Sequence, residues 1–152
     1  MLLNLLAFSH EEAVKLNLVE LDANKASSMA VVLDCASILI EDREENLKIL
    51  RERGAIRHVL WLVSLAKTRT GALQLLTHAL KQDSEPKNSD MASLIELLQT
   101  APKKEIALKK DILDCLRRLF VINRKTMDAF RESGGFVCVV SLLVAMEGCK
   151  IY

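Results

Sequence analysis

The sequence predicts an all-α fold, a helical solenoid of about three repeats, and three observations predict it. Punctuation is scarce: 152 residues contain five Gly and two Pro, with 51% apolar and 27% charged residues. Abundant Leu, Ala, Lys and Glu then favour helices over many short strands, each of which would need its own turn. The chain also repeats itself. Shifted by 80 residues, "LDCASILIEDREENLKILRERGAIRHVLWLV" from Leu33 aligns without a gap on "LDCLRRLFVINRKTMDAFRESGGFVCVVSLL" from Leu113. Finally, that offset is most simply two units of about 40 residues, a period typical of helical solenoids.

The length fits one domain, 1–152, with a real core. Net charge is +1, so no global attraction to nucleic acid or an anionic membrane is implied. The opening "MLLNLLAFSHEEAV" lacks a basic n-region and meets acids directly, which argues against a secretory signal. It reads as a buried helix or the edge of a larger fold, and the first 22 residues as one or two helices of a preceding, partial unit. No segment approaches the roughly 18 consecutive apolar residues of a membrane span.

Each aligned copy reads as three helices. The first has apolar residues at helical spacing: Leu33, Ala36, Leu39 and Ile40, or Ile112, Leu113, Leu116, Leu119 and Phe120. A shorter, more polar helix follows from Glu44 to Arg53, and again from Arg124 to Ser133. Glycine then marks the corner: Gly54 in one copy, Gly134 and Gly135 in the other. Glycine takes the left-handed conformation past a helix end without a Cβ clash. Arg51, Arg53 and Arg131 complement the dipole in the last turn. The third helix is strongly apolar, Ala55 to Ala66 or Phe136 to Met146.

The intermediate unit falls between about residues 69 and 103, with "TGALQLLTHALK" and "MASLIELLQT" as its long and apolar helices. "QDSEPKNSD" replaces the short polar helix by a loop, with Asp90 as the N-cap of the apolar helix. Pro102 stands near the start of the next long helix. Counted from the short helices, the units are a partial repeat 1–43, a repeat 44–81, a degenerate repeat 82–123 and a partial repeat 124–152.

"ENLKILRERGAIRHVLWLVSL" and "KTMDAFRESGGFVCVVSLL" resemble the armadillo-repeat pattern of a short helix, a glycine, an apolar helix and a long third helix. The resemblance covers nearly the whole chain and implies a right-handed solenoid with the third helices lining its concave side. "FRESGGFVCVVSLLVAMEG" is more particular. It resembles the armadillo-like region of the large BEACH-domain proteins with WD repeats and a FYVE domain, the autophagy-linked FYVE protein family. That likeness covers mainly the last third. It implies a fragment or short isoform of a cytoplasmic scaffold in membrane trafficking and selective autophagy. The BEACH, WD-repeat and FYVE portions are missing, so nothing tied to them carries over. The long helices also lack the Trp and Asn one turn apart with which nuclear-import receptors hold peptides.

Eight basic residues, Lys103, Lys104, Lys109, Lys110, Arg117, Arg118, Arg124 and Lys125, stand with only three acids, Glu105, Asp111 and Asp114. Lys110, Asp114 and Arg117 recur along one helix face, opposite the apolar one. On the concave side they would form a docking strip, together with Arg118, for an acidic or phosphorylated peptide. The competing reading is a solvated face satisfied by nearby acids. Nucleic acid is not expected, since no aromatics interleave the bases. Trp61 shares a stripe with Arg57 and Ser64, either as an exposed anchor for a partner or packed between repeats.

Cys35, Cys115, Cys138 and Cys149 have no C-x-x-C spacing and sit in apolar contexts as small hydrophobes, reduced thiols of a cytosolic protein. His10, His58 and His78 are scattered, so no metal or cofactor site is expected. A cysteine-dependent hydrolase built on Cys115 with Asp114, or on any Cys with one of the three His, has no supporting motif; Asp34-Cys35 and Asp114-Cys115 recur as repeat positions. The sequence therefore points to a non-catalytic protein-interaction scaffold. Its alternative is a structural solenoid segment with no partner of its own. Direct membrane insertion is not expected, and the apolar terminal helices invite self-association, because solenoids need polar caps.

Overall fold

A computed structural model of the protein describes residues 23–82 and 89–147, and among these every regular element is an α-helix. In chain order they are α1 Ala23–Ile40, α2 Glu44–Glu52, α3 Ala55–Ser64, α4 Arg69–Lys81, α5 Ser89–Thr100, α6 Ile106–Ile122, α7 Lys125–Glu132 and α8 Gly135–Glu147. The helices expected within the first 22 residues, the loop expected at Pro86 and Asn88, and Cys149 lie outside the described residues.

The glycine corners form as their sequence requires. Glu44 and Glu45 open α2 and Arg51 lies in its last turn, each matched to the helix dipole. Gly54 then takes φ +70° and Gly134 φ +79°. The bond that closes each corner is the same: Gly54 N–H to Arg51 O at 2.9 Å, and Gly134 N–H to Arg131 O at 3.1 Å. Nothing lies within 4 Å of a Cβ added at either glycine, so backbone conformation, not space, calls for Gly there. Gly135 differs. It is the first residue of α8, and a Cβ there would overlap the Phe130 ring. Phe130 stacks edge to face on Phe120, centroids 5.1 Å apart, so the ring has little room to retreat.

The long helices pack in sequence. Helix α4 lies against α1 and α3 on one side and α6 on the other, and α5 lies against α3, α6, α7 and α8. Sandwiched in this way, α4 buries Ala72, Leu73, Leu75, Leu76, Ala79 and Leu80, an apolar surface too broad for a single stripe. Its Gly71 lets the helix approach Leu33 of α1; a Cβ at Gly71 would sit 3.3 Å from Leu33 Cβ.

Most polar ties between successive segments keep an interval near 40 residues, although Arg51 also reaches the Ala79 carbonyl across 28. Arg51 Nε donates to Asp90 Oδ2 at 2.8 Å across 39 residues. Arg69 Nη1 reaches Asp111 Oδ2 at 3.2 Å across 42. Thr77 Oγ1 lies 3.2 Å from Cys115 Sγ across 38. Side-chain amides close the helix ends in the same rhythm, Gln82 to Ile40 O and Asn123 to Lys81 O, each across 42. Residues about 40 apart are thus spatial neighbours.

Three expectations need correction. Asp90 is not an N-cap. It lies within the first turn of α5, with Ser89 ahead of it in the helix, and its buried carboxylate holds Arg51 of α2. Cys35 is exposed although its repeat counterpart Cys115 is buried, because α6 turns that position toward α4 and α1 does not. Helical spacing groups Leu113 with Ile112 and Leu116, yet it is 37% exposed while those two are buried.

Candidate functional site

The candidate docking strip is the outer face of α6. Leu108, Ile112, Cys115, Leu116 and Leu119 are buried toward the core. About half a turn away, Ile106, Lys110, Leu113, Arg117 and Val121 follow one another at spacings of three and four, all exposed. Ile106 is 70% exposed and Val121 82%, so apolar and cationic side chains alternate in solvent along one ridge.

Its electrostatics are partly satisfied from within. Arg117 Nη2 pairs with Asp114 Oδ1 at 3.2 Å, one turn apart, and Arg118 Nε donates to the Asp114 carbonyl at 3.3 Å. Asp114 therefore orients Arg117 and does not face a partner unencumbered. Asp111 is drawn inward by Arg69. With both aspartates engaged, Lys103, Lys104, Lys110, Arg118, Arg124 and Lys125 remain exposed, leaving the segment strongly cationic. An exposed arginine held by a neighbouring acid keeps free guanidinium N–H donors for a carboxylate or phosphate.

Arg57 and Trp61 do not join this strip. They lie on α3, and α3 and α6 both pack on α4. Trp61 is half-buried and, like Leu60 and Leu65, packs against the core. Arg57 is exposed and lines a cleft of about 490 Å³ with Arg53, Gly54, His58, Asp90 and Ser93 at the start of α3. Gly54, Gly134 and Gly135 shape the corners that position α3 and α8.

Arg69, to which no motif in the sequence assigns a role, is buried. Its Nε donates to Val63 O at 3.0 Å and Nη2 to Ser64 O at 3.5 Å, satisfying the open C-terminal carbonyls of α3, while Nη1 holds Asp111. Thr68 Oγ1 adds a bond to Leu62 O at 2.8 Å. One signal is present in the sequence: Arg69 opens α4, where a cation opposes the helix dipole unless it is engaged elsewhere.

Burial pushes the Cys115 thiol above its ordinary value, against smaller opposing effects from its Thr77 hydrogen bond and from Arg118. Among the described residues no three His, Cys, Asp or Glu side chains converge as metal ligands. No single helix among them is long and apolar enough to cross a membrane; α7 and α8 reach that measure only as a pair bent by 71°. No protein-family model and no solved structure matches the chain.

Proposed function

We propose that the chain is a non-catalytic protein-interaction module, an armadillo-like right-handed solenoid of about three repeats, whose α6 ridge docks an acidic or phosphorylated segment of a partner protein. The observation that carries this is the ridge itself: exposed Lys110, Arg117 and Arg118 set among exposed Ile106, Leu113 and Val121. Solvated helix faces seldom need that much apolar surface, whereas interaction surfaces combine apolar contact with charge complementarity. The solenoid reading draws on the repeat alignment and on polar ties at 38 to 42 residues. Raised and buried, the Cys115 thiol is a poor nucleophile, which favours display over catalysis. The resemblance to the BEACH, WD-repeat and FYVE proteins supports a module of a large cytoplasmic trafficking scaffold, of which this chain is a fragment or short isoform.

The test is binding of glutamate-rich and phosphoserine peptides to the 152-residue chain, with and without charge reversal at Lys110, Arg117 and Arg118. The expected outcome is a loss of at least ~tenfold in affinity with unchanged thermal stability, and weaker binding at high salt. Affinity that ignores the reversal would leave a structural segment without a partner of its own.

A further inference from the structure

The repeat supplies its own description of what fits the exposed faces of α6 and α8. In the first copy, α4 lies in the groove between α1 and α3. On α1, Ala26, Leu33 and Ser37 are buried, with Leu33 against Gly71 of α4, and on α3 Ile56 and Val63 are buried. Eighty positions on, the same places are Ile106, Leu113, Arg117, Phe136 and Leu143. Every one of these is exposed, with Ile106 at 70%, Phe136 at 67% and Leu143 at 59%. The second copy thus presents the seat of a helix like α4.

The seat is not a duplicate. Ala30 and Ser37 of α1 are replaced by Lys110 and Arg117 on α6. A wholly apolar helix laid there would bury both cations against carbon, which is strongly unfavourable. The corner at the seat's edge repeats the demand. Arg51 holds Asp90 of the incoming α5, whereas the side chain of its counterpart Arg131 is 72% exposed and meets its own helix neighbour Asp128.

From this correspondence we infer that the α6–α8 groove binds an amphipathic helix with an apolar stripe flanked by acids, seated as α4 is seated on α1 and α3. The stripe packs on Ile106, Leu113, Phe136 and Leu143, and the flanking carboxylates meet Lys110 and Arg117. This inference rests on the acidic-partner reading and adds the conformation and the second helix of the site. It predicts that charge alone is insufficient.

The probe is a stapled helix with leucines at helical spacing and glutamates beside them, fluorescently labelled and titrated with the full chain. It is compared with a scrambled peptide of the same composition and with a lysine-flanked version. The expected result is that the scrambled peptide binds at least ~tenfold more weakly, and that Leu113→Ser and Leu143→Ser each weaken the helix by ~tenfold. Lys110→Glu with Arg117→Glu should transfer preference to the lysine-flanked helix. Equal binding of helix and scramble, abolished by that charge reversal, would overturn the helix inference while leaving the acidic-partner reading in place. Failure of both acidic peptides would overturn both. Reversible dimerisation of the unliganded chain, relieved by Leu143→Ser, would make a second copy the occupant and also overturn the inference.

Discussion

The first copy, α1 to α3, and the second, α6 to α8, share residues and turn geometry but differ in what lies against them. Their glycine corners close with the same bond, from the glycine N–H to the carbonyl of the arginine three residues back. Their long helices do not bury the same stripe. Helix α1 buries Leu33 and Ile40 and exposes Cys35 and Leu39; α6 buries Cys115 and Leu119 and exposes Leu113. Since α4 follows α1 and precedes α6, one helix is covered on its forward edge and the other on its rear edge. Local sequence sets the turns and helices, whereas position in the stack decides which edge of an apolar helix is buried. Among the described residues the exposed large hydrophobics follow the same rule: they occur on α1, α2, α6, α7 and α8 and not on α3, α4 or α5.

The sharpest way to break this comparison is to truncate aligned leucines. Leu33 is fully buried and Leu113 is not. Leu33→Ala is expected to destabilise the fold by ~2–5 kcal/mol in denaturant titration, and Leu113→Ala by about 1 kcal/mol or less. Equal losses would mean that α6 is covered as α1 is. The aligned arginines form a second pair. Arg51 reaches the buried Asp90 carboxylate and the Ala79 carbonyl, while Arg131 has an exposed intrahelical partner. Arg51→Met should lose ~1–3 kcal/mol because it removes the cation that Asp90 holds, and Arg131→Met less than ~0.5 kcal/mol.

The aligned cysteines give the smallest effect. Native Cys35 is expected to be alkylated readily and Cys115 only on unfolding, as mass spectrometry of protected peptides would record. Because the folded Cys115 pKa is raised from 9.0, its contribution to stability is full below about that pH and is lost as pH rises through the raised value. Cys115→Ala should therefore flatten the decline in melting temperature under alkaline conditions.

Much of this is legible in the sequence. Glycine spacing and apolar periodicity predict α2 at Glu44–Arg53, against Glu44–Glu52 observed, and both corners fall where expected. Those signals are local. Asp90 has the form of a cap, an acid before an apolar run, and Arg51, 39 residues back, gives no local sign of the tie. The basic strip is visible as composition; that Leu113 and Ile106 share its face is not, because an apolar residue on a helix carries no mark of which neighbour covers it. Cys35 illustrates the same gap, more open than a core residue. Arg69 escapes a local reading since its partners, Val63, Ser64 and Asp111, are assembled only when α3, α4 and α6 meet.

The recurring interval of the polar ties has a kinetic consequence. Where such a tie joins neighbouring units among the described residues, it can form after closing a loop of about 40 residues. Helix α4, held by α1, α3 and α6, becomes the last element to open. Its amides should exchange with deuterium more slowly than those of α1 or α8, so that protection falls away from the middle of the chain toward both ends.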